Sequence, residues 1–495
     1  MKRGLLVTLS VVTATTMVLA GCSKDKKAAT PAAKTTSSAA VSAAPSAAPA
    51  SSSSATAGAA STPASTVAAT TAPGGDGKPI KIAFQQFGEG RIMDDFLKTV
   101  TDKYQADNPG SKVELNAIQA SENDYYTKLA LLVKSDKTTP DIIHEDTFLI
   151  NSDISAGYLK PLDDYLAAWD QWPQYVDNAK AAGRGLDGKV YGVPDGTDTR
   201  GLWYNKEVLA KAGIAVPWAP KTWDDVLAAA RAVKAKVPGV TPINVYASKA
   251  AGEATSMQGF EMLMYGTGAS LYDAESKKWI VGSKQFKDSL GFMKTVFSEK
   301  LGPNPQQALD AQLGNIVHDD LLPSGKLAIA LDGSWLPGGW GPKGGKPWPE
   351  WADKLGVTAM PTQTGQAPGS VSLSGGWTWA ISAKSAHPDE AFKVIQALQN
   401  AENATKYTND AAQISVRKDV AGDQAYKDWT GKMGALSEVV AVTQYRPAYS
   451  EYPRISNEIQ VAAEAVATGQ SPEKAAAAYD AAVKRIVGED KTITK

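Results

Sequence analysis

Two tryptophans, Trp377 and Trp379, stand two residues apart directly after the Ser-Gly-Gly segment at 374–376. In an extended strand, side chains two residues apart point to the same side, so both indole rings would face one way. Indole faces pack well against the apolar C–H faces of a pyranose ring, and adjacent glycines let a ligand approach the backbone closely. The pair indicates a sugar-stacking platform or two core side chains, and taken alone it favours the core.

Polar side chains follow two apolar, strand-like segments in the first part of the folded region. Gln86 and Glu89 come after the first segment, and Glu145 and Asp146 come after the second. Carboxylate and amide groups can hydrogen-bond sugar hydroxyls, whereas most carboxylates in exposed loops are only solvated. Their shared position at predicted strand ends makes all four residues candidate ligand contacts.

Charged and aromatic residues also occur beside later predicted strands. Asp198 and Arg200 are two residues apart, so they could bind hydroxyls in bidentate fashion or form an ion pair with each other or with neighbours. Asp332 and Trp335 follow another apolar strand pattern, where a carboxylate could bind hydroxyls and an indole could stack on a sugar. These four residues extend the set of candidate ligand contacts.

The hydrophobic pattern predicts the scaffold that positions the first candidates. Strand-like alternation and helix-like spacing succeed each other from residue 80 to residue 144. This β-α-β-α-β order predicts a parallel sheet with right-handed crossovers, whose ligands lie beyond the carboxyl ends of the strands. The predicted elements are strands at 80–84, 113–117 and 140–144 and helices at 93–104 and 125–133.

A second α/β lobe is predicted further along the chain. Residues 78–495 are too many for one ordinary hydrophobic core, so we expect two lobes. Thr222 and Asp225 have the spacing of a reciprocal helix cap. Later strand and helix patterns follow at 241–247, 257–265, 279–281, 286–297 and 325–331.

The N-terminus has the layout of an export signal. Lys2 and Arg3 precede an apolar run at 5–20 that is too short to span a membrane comfortably. Cys22 is the only cysteine of the chain, which excludes an intramolecular disulfide. The segment before it resembles a bacterial lipobox, which implies that residues 1–21 are a signal peptide and that Cys22 is lipidated. A soluble secreted protein with an incidental cysteine is the alternative.

The next segment, residues 22–77, consists almost entirely of Ala, Ser, Thr, Pro and a few lysines. Such a composition buries too little apolar surface to offset the entropy of folding, so it predicts a disordered tether. The formal net charge of −1 argues against a nucleic-acid partner and against electrostatic binding to a membrane surface. A lipid on Cys22 would instead hold the folded region beside a cell membrane.

Three motifs carry a family resemblance. Gly192-Val193-Pro194 followed by Leu-Trp-Tyr-Asn-Lys at 202–206 is similar to the first interlobe crossing of the family 1 extracellular solute-binding proteins, the maltose-binding-protein type. The strand pattern at 325–331 followed by Asp-Gly-Ser-Trp at 332–335 is similar to the strand and Gly-x-Trp loop at that family's sugar site. Residues 356–362 resemble the second crossing. The chain departs from the maltose binder in its tether and in a tryptophan-rich loop at 340–351.

The resemblance implies a two-lobed α/β fold of the periplasmic-binding-protein type, with an interlobe hinge and a central ligand cleft. It implies a first lobe of residues 78–198 and 361–412 and a second lobe of residues 199–360 and 413–495. It also implies a monomeric binding protein rather than an enzyme, with the transmembrane permease of an ABC importer as its partner. Tyr445 and Arg446 lie where second-lobe loops approach the ligand in relatives.

The leading hypothesis is a lipid-anchored receptor at the extracellular face of a cell membrane, whose ligand is a carbohydrate, namely an oligosaccharide. The composition of the tether favours a Gram-positive cell. A binding protein for a phosphorylated polyol is one alternative, and it would use the guanidinium groups of Arg200, Arg417 and Arg446. A surface glycoside hydrolase with two carboxylates is another. No cofactor is expected, and no metal, because the three histidines are isolated in the sequence.

Overall fold

The computed structural model describes residues 78–86 and 88–495. The predicted signal peptide at 1–21, the lipidation site Cys22 and the tether at 22–77 lie outside the described residues. Among the residues that are described, no helix combines the length and the apolar content that crossing a membrane would need.

Strands are distributed along the whole folded region. They are β1 (Ile80–Gln86), β2 (Val113–Gln119), β3 (Ile142–Asp146), β4 (Gly192–Pro194), β5 (Arg200–Asn205), β6 (Thr241–Asn244), β7 (Tyr272–Asp273), β8 (Lys278–Val281), β9 (Leu327–Gly333), β10 (Leu355–Thr358), β11 (Met360–Pro361), β12 (Ser370–Ser374), β13 (Trp377–Ile381), β14 (Thr443–Tyr445) and β15 (Thr492–Thr494).

Helices alternate with these strands. They are α1 (Ile92–Asp107), α2 (Glu122–Lys134), α3 (Ile150–Ser155), α4 (Asp163–Ala167), α5 (Asp177–Ala182), α6 (Lys206–Lys211), α7 (Trp223–Lys236), α8 (Met262–Gly266), α9 (Lys284–Ser298), α10 (Pro305–Ala308), α11 (Leu313–Ile316), α12 (Leu336–Trp340), α13 (Trp351–Lys354), α14 (Pro388–Leu398), α15 (Ala401–Asp410), α16 (Lys418–Ala421), α17 (Gln424–Thr430), α18 (Ala435–Glu438), α19 (Tyr452–Ala467) and α20 (Pro472–Val487). Thr255–Glu261, just before α8, is a π-helical turn.

The first sheet has the strand order β2-β1-β3-β13-β4. β1 pairs in parallel with β2 and with β3, and α1 and α2 form the connections, so the predicted β-α-β-α-β unit is confirmed. β13 is antiparallel to both β3 and β4. Apolar side chains such as Ile82, Phe84 and Leu97 are completely buried in its core. We call this sheet and the helices packed on it the first lobe.

The second lobe is built on a sheet of order β10-β5-β9-β6. All seven residues of β9 are buried, because its side chains pack into two hydrophobic clusters, Ile329 and Leu331 in one and Leu327 and Ala330 in the other. The core includes Leu202, Ile329 and Leu331. The predicted cap of α7 is confirmed, because the Thr222 hydroxyl accepts from Asp225 N and the Asp225 carboxylate accepts from Thr222 N.

The stretch at 371–382 is not one continuous strand. β12 belongs to a third sheet of order β11-β12-β14, which we call the hinge sheet, whereas β13 belongs to the first lobe. The chain changes sheets at Gly375 and Gly376. A Cβ on Gly376 would lie 2.7 Å from the carbonyl oxygen of Gly196, and its φ of +138° also favours glycine. Gly376 therefore serves a close backbone crossing.

Three interlobe crossings lie side by side. The Thr197 hydroxyl donates to Gly375 O at 2.8 Å, and Asp195 N donates to Trp377 O at 3.1 Å. The Thr199 hydroxyl donates to Leu436 O at 2.7 Å, which ties the third crossing to the first. We call these three connected segments the hinge.

The packing differs from the predicted lobe boundaries at 361 and 413. Met360, Val371 and Leu373 are buried in the second-lobe core, so the segment before Gly375 packs with the second lobe. Residues 414–420 pack with the first lobe instead. For example, Arg417 Nη1 donates to Gln399 O at 2.6 Å, and Val176 N donates to Val416 O at 3.0 Å. These contacts move the second and third crossings to about 375 and 431–436.

Candidate ligand-binding site

The cleft between the lobes contains a buried ion-pair group centred on Arg446. Arg446 Nη2 lies 2.6 Å from Asp146 Oδ1 on the first lobe, and Arg446 Nη1 lies 3.1 Å from Glu253 Oε2 on the second. The guanidinium also lies 4.4 Å from the ring centre of Phe148, in a cation–π contact. Burial would lower the pKa of Arg446, but Asp146 and Glu253 raise it well above its usual value, so this residue is charged.

Each carboxylate in this group is held by its own lobe. Tyr126 OH donates to Asp146 Oδ2 at 2.7 Å. On the second lobe, Glu253 Oε1 accepts from the Ser456 hydroxyl and from Gln460 Nε2. Both carboxylates are therefore oriented by contacts that do not depend on Arg446.

A third carboxylate adjoins the group. Burial raises the pKa of Glu122 to about 7, and the negative charges of Asp146 and Glu253 add to the rise. Burial also raises the pKa of Glu253, although Arg446 opposes that rise. The protonation of this part of the cleft therefore changes near neutral pH.

A second charged group surrounds Arg200. Arg200 Nη1 forms an ion pair with Asp198 Oδ1, and Arg200 Nε donates to Gln258 Oε1 at 2.9 Å. The guanidinium lies 4.8 Å from the ring centre of Trp335. Asp198 Oδ1 also accepts from Gly375 N at 2.9 Å. The structure thus realises the ion-pair alternative for Asp198 and Arg200, beside the candidate stacking residue.

The two charged groups converge at Gly375. A Cβ placed there would lie 3.4 Å from Arg446 Nη2, 3.4 Å from Asp198 Oδ2 and 3.4 Å from Met257 Cε. A guanidinium, a carboxylate oxygen and a methyl group therefore border one position without a side chain. Carboxylates and guanidinium groups hydrogen-bond the hydroxyls of a sugar, and the methyl group can contact its C–H surface.

The two tryptophans of β13 have different surroundings. Trp379 is 0% exposed and belongs to the first-lobe core, where His144 lies 4.5 Å from its ring centre. The predicted role of Trp379 in stacking on a ligand is therefore wrong for this structure. Trp377 is partly exposed at the start of the strand and stacks on His144 at 4.8 Å. Both rings contact His144, but Trp377 packs with Tyr125 and Tyr126, whereas Trp379 belongs to the first-lobe core.

Glu145 points away from the cleft. Successive strand side chains alternate between faces, so Glu145 lies on the opposite side of β3 from Asp146. It is 0% exposed, and burial and the neighbouring Asp153 raise its pKa well above the usual value. The prediction that Glu145 contacts a ligand is contradicted by this burial. It resulted from placing the end of β3 at residue 144, whereas the strand continues through Asp146.

Asp332 is also enclosed within the protein. Its carboxylate accepts from Tyr246 OH at 2.8 Å and from Gly333 N at 2.8 Å, and the residue is 2% exposed. Burial raises its pKa, while these two hydrogen bonds oppose the rise. Asp332 therefore orients the loop that carries Trp335, and its carboxylate is not open to a ligand in this structure.

The remaining candidates lie at the margins of the cleft. Tyr445 is 45% exposed and its backbone oxygen accepts from Tyr265 OH at 3.3 Å. Gln86 is partly buried at the end of β1. The loop after β1 carries Glu89, and its backbone approaches Gly345 of the second lobe. Gln86, Glu89 and Tyr445 remain predictions as ligand contacts.

Four side chains that the structure brings into the Arg446 group were not among the predicted ligand contacts. They are Glu122, Tyr126, Phe148 and Glu253. Glu122 and Tyr126 belong to α2, and a helix that starts just beyond the end of a parallel strand was a signal that could have identified them. Within residues 78–86 and 88–495, no cluster of three or more His, Cys, Asp or Glu side chains could hold a metal ion.

Comparison with known proteins places this geometry in context. Residues 89–405 match the family model described as bacterial extracellular solute-binding protein. The lactose-binding protein of Rhizobium radiobacter is 23% identical over 305 residues, which are 61% of this chain and 66% of that protein. The multiple sugar-binding protein of Streptococcus mutans is 27% identical over 163 residues, which are 32% of this chain and 35% of that protein. The alignments thus leave a third or more of each relative unmatched.

Solved structures share the fold. A solute-binding protein of Thermotoga lettingae bound with α-D-tagatose superimposes with a TM-score of 0.72 at 24% identity, covering 83% of this chain and 100% of that one. The maltose-bound MalE3 protein of T. maritima superimposes with a TM-score of 0.69 at 21% identity, with the same coverage. The expected two-lobed α/β architecture is confirmed by these similarities.

Proposed function

The chain belongs to the bacterial extracellular solute-binding proteins, and from this premise we propose that it is the carbohydrate receptor of an ABC importer. It binds its ligand, an oligosaccharide, between the two lobes and presents the closed form to a membrane permease. Closure is a hinge motion, and a ligand shifts its equilibrium only by binding the closed form more tightly than the open one.

The observation that carries the proposal is the convergence at Gly375. A hydrogen-bond acceptor, Asp198 Oδ2, and a hydrogen-bond donor, Arg446 Nη2, both border the position between the lobes where Gly375 lacks a side chain. Trp335 lies beside the same group, against Arg200. An indole face with a carboxylate and a guanidinium nearby matches a polyhydroxylated ring, which has apolar faces and hydroxyl edges.

An anionic ligand is less compatible with this arrangement. A phosphate group would need guanidinium groups that are free to pair with it. Arg200, Arg417 and Arg446 are each paired with a carboxylate of the protein itself: Asp198, Asp419, and Asp146 with Glu253, respectively. The phosphorylated-polyol alternative therefore has less support than a neutral sugar.

A hydrolase is also less compatible with the cleft. Glycoside hydrolysis needs one protonated carboxyl group and one carboxylate that face the same glycosidic bond. Arg446 lies between Asp146 and Glu253 and pairs with both. The guanidinium thus occupies the space between the two carboxylates where a glycosidic bond would have to lie, so we propose a binding protein without catalytic activity.

Calorimetric titration of the purified full chain with maltose-type oligosaccharides, sugar alcohols and glycerol phosphates tests the proposal. We expect heat of binding with one sugar family. Replacing Trp335 with Ala should weaken that binding by roughly 1–3 kcal/mol, the range for a stacking anchor. The matched control is Trp172→Ala, whose ring packs against Trp169 and Tyr175. Binding of glycerol phosphates alone, or equal losses in both variants, would contradict the proposal.

The cellular location completes the proposal. The signal-like residues 1–21 and the lone Cys22 support a lipid anchor at the extracellular face of a cell membrane, and the composition of the tether favours a Gram-positive cell. The proposed monomer follows from the family resemblance alone. A Cys22→Ser variant should then be released from cells into the medium while the parent protein stays with the membrane fraction. Equal membrane retention of both forms would argue against the anchor.

A further inference from the structure

The second lobe carries a glycine-rich segment, residues 341–346, which we call the strap. Aromatic side chains on either side fix its two ends to the second lobe. Trp340 packs against Trp203 at 5.7 Å, against Trp348 at 5.2 Å and against Trp351 at 6.0 Å between ring centres. Trp348 N also donates to Trp340 O at 2.9 Å. The strap is therefore a closed loop with a rigid base.

The tip of the strap contacts the first lobe. Arg91 N, at the start of α1, donates to Lys343 O at 3.3 Å. Lys343 Nζ lies 3.1 Å from Asp410 Oδ2 at the end of α15. Both contacts join a second-lobe segment to helix termini of the first lobe.

Gly345 shows that this approach involves the backbone. A Cβ at Gly345 would lie 3.1 Å from Gly90 N, 3.4 Å from Glu89 C and 3.6 Å from Gly90 Cα, and these are its three nearest neighbours. All three atoms belong to the first lobe. The tight contact that a side chain at 345 would make is therefore with the backbone of the other lobe and not with its own lobe.

We propose that the strap is a closure latch: it seats on residues 88–91 and on Asp410 when the lobes close, and it leaves them when the lobes open. The latch follows from the two-lobed hinge fold, and its effect on ligand retention rests on the proposed function. Because the strap contacts differ between the open and closed forms, they bias the equilibrium between the two. The predicted ligand contact Glu89 thus lies on the loop that receives the strap.

A β-branched residue at 345 should disfavour the closed form and leave the open form unaffected. Val at this position meets the backbone of Gly90 when the lobes are closed, whereas an open form leaves it in solvent. We therefore expect Gly345→Val to favour the open form while the second lobe keeps its fold. Gly291 is the matched control, because it also lies on the second lobe and a Cβ there has no neighbour within 4 Å.

Hydrogen–deuterium exchange of the ligand-free full chain tests the latch. In Gly345→Val we expect exchange at residues 88–95 to become at least several-fold faster, since Arg91 N–H loses its acceptor, while Gly291→Val leaves this region unchanged. Lys343→Ala should give a smaller change of about 1.4- to 5-fold, as for an exposed ion pair, and added salt should reduce the difference.

Unchanged exchange at residues 88–95 in both Gly345→Val and Lys343→Ala would overturn the latch, as would an equal increase in Gly291→Val. The Lys343→Ala variant decides the case if Gly345→Val does not fold. Because the measurement needs no ligand, its failure is separable from that of the proposed function. A chain that binds no sugar would contradict the receptor and leave the exchange result unaffected.

Discussion

Replacing Asp153 with Asn should stabilise the protein at neutral pH and have little effect in acid. Asp153 lies on α3, behind β3, and interacts with the buried carboxyl group of Glu145. Burial raises the pKa of Asp153 from 3.8 to about 6. Folding therefore makes this carboxyl group retain a proton that it would release in the unfolded chain.

The sign of the pH effect follows from proton uptake. Between about pH 4 and pH 6 the folded state binds more protons than the unfolded state at this site, so the free energy of unfolding falls as the pH rises. A shift of about two pKa units corresponds to about 3 kcal/mol, at roughly 1.4 kcal/mol per unit. Partial exposure and local relaxation reduce this free-energy difference. We therefore expect Asp153→Asn to raise the free energy of unfolding by about 1–3 kcal/mol at pH 7.5.

Urea unfolding of the full chain, followed by tryptophan fluorescence at pH 4.5, 6.0 and 7.5, measures the effect. The difference between Asp153→Asn and the parent protein should be near zero at pH 4.5 and grow as the pH rises. Asp177→Asn is the matched control, because Asp177 also lies in the first turn of a short helix but its side chain is 96% exposed. A constant difference across the pH range, or the same trend in the control, would refute the reasoning.

Three further outcomes test other parts of the structure. Replacing Arg446 with Met leaves Asp146 and Glu253 without their cation, which should lower the free energy of unfolding in urea at pH 7.5 by roughly 3–5 kcal/mol. An added Glu253→Gln change should restore most of this loss. An unchanged free energy of unfolding in Arg446→Met would contradict the buried ion pairs. In Gly375→Val, the new side chain should fill the position between the two charged groups, where the ligand hydroxyls must be hydrogen-bonded. We expect carbohydrate binding in calorimetry to weaken by more than about tenfold, while the free energy of unfolding stays nearly unchanged. Unaltered affinity would remove this position from the site. Trp379→Ala should lower the unfolding free energy by about 3–5 kcal/mol, as expected for a core aromatic side chain, and a stable variant that has lost only sugar binding would show that the core assignment is wrong.

Local pattern was sufficient to predict the first five elements of the first lobe, β1 to β3 with α1 and α2. Periodicity in the apolar residues reports which side of a helix or strand is buried, and it located β1 and α1 to within a few residues. It could not fix where β3 ends. An error of two residues there turned Glu145 from a core side chain into a predicted ligand contact, because neighbouring strand residues face opposite sides.

Which residues belong to the candidate site depends on tertiary contacts that cannot be recognised in the local sequence. The spacing of Trp377 and Trp379 predicts a common face, but Trp379 packs in the first-lobe core and Trp377 packs with Tyr125 and Tyr126. Which cluster each ring joins depends on the neighbouring strands and helices. Glu253 is 193 residues from Arg446 along the chain, and nothing in its local segment indicates that partner. Pairings of this kind are set by the packing of the two lobes.

The side-by-side arrangement of the three crossings restricts how the lobes can move. Each crossing is hydrogen-bonded to a neighbour, through Thr197 to Gly375 and through Thr199 to Leu436. A rotation about the row of crossings can be spread over small changes in several backbone torsion angles and keep these bonds. Sliding one lobe past the other would break them together. The lobes therefore have essentially one easy degree of freedom, so that Asp146 and Arg446 meet again in the same register at every closure.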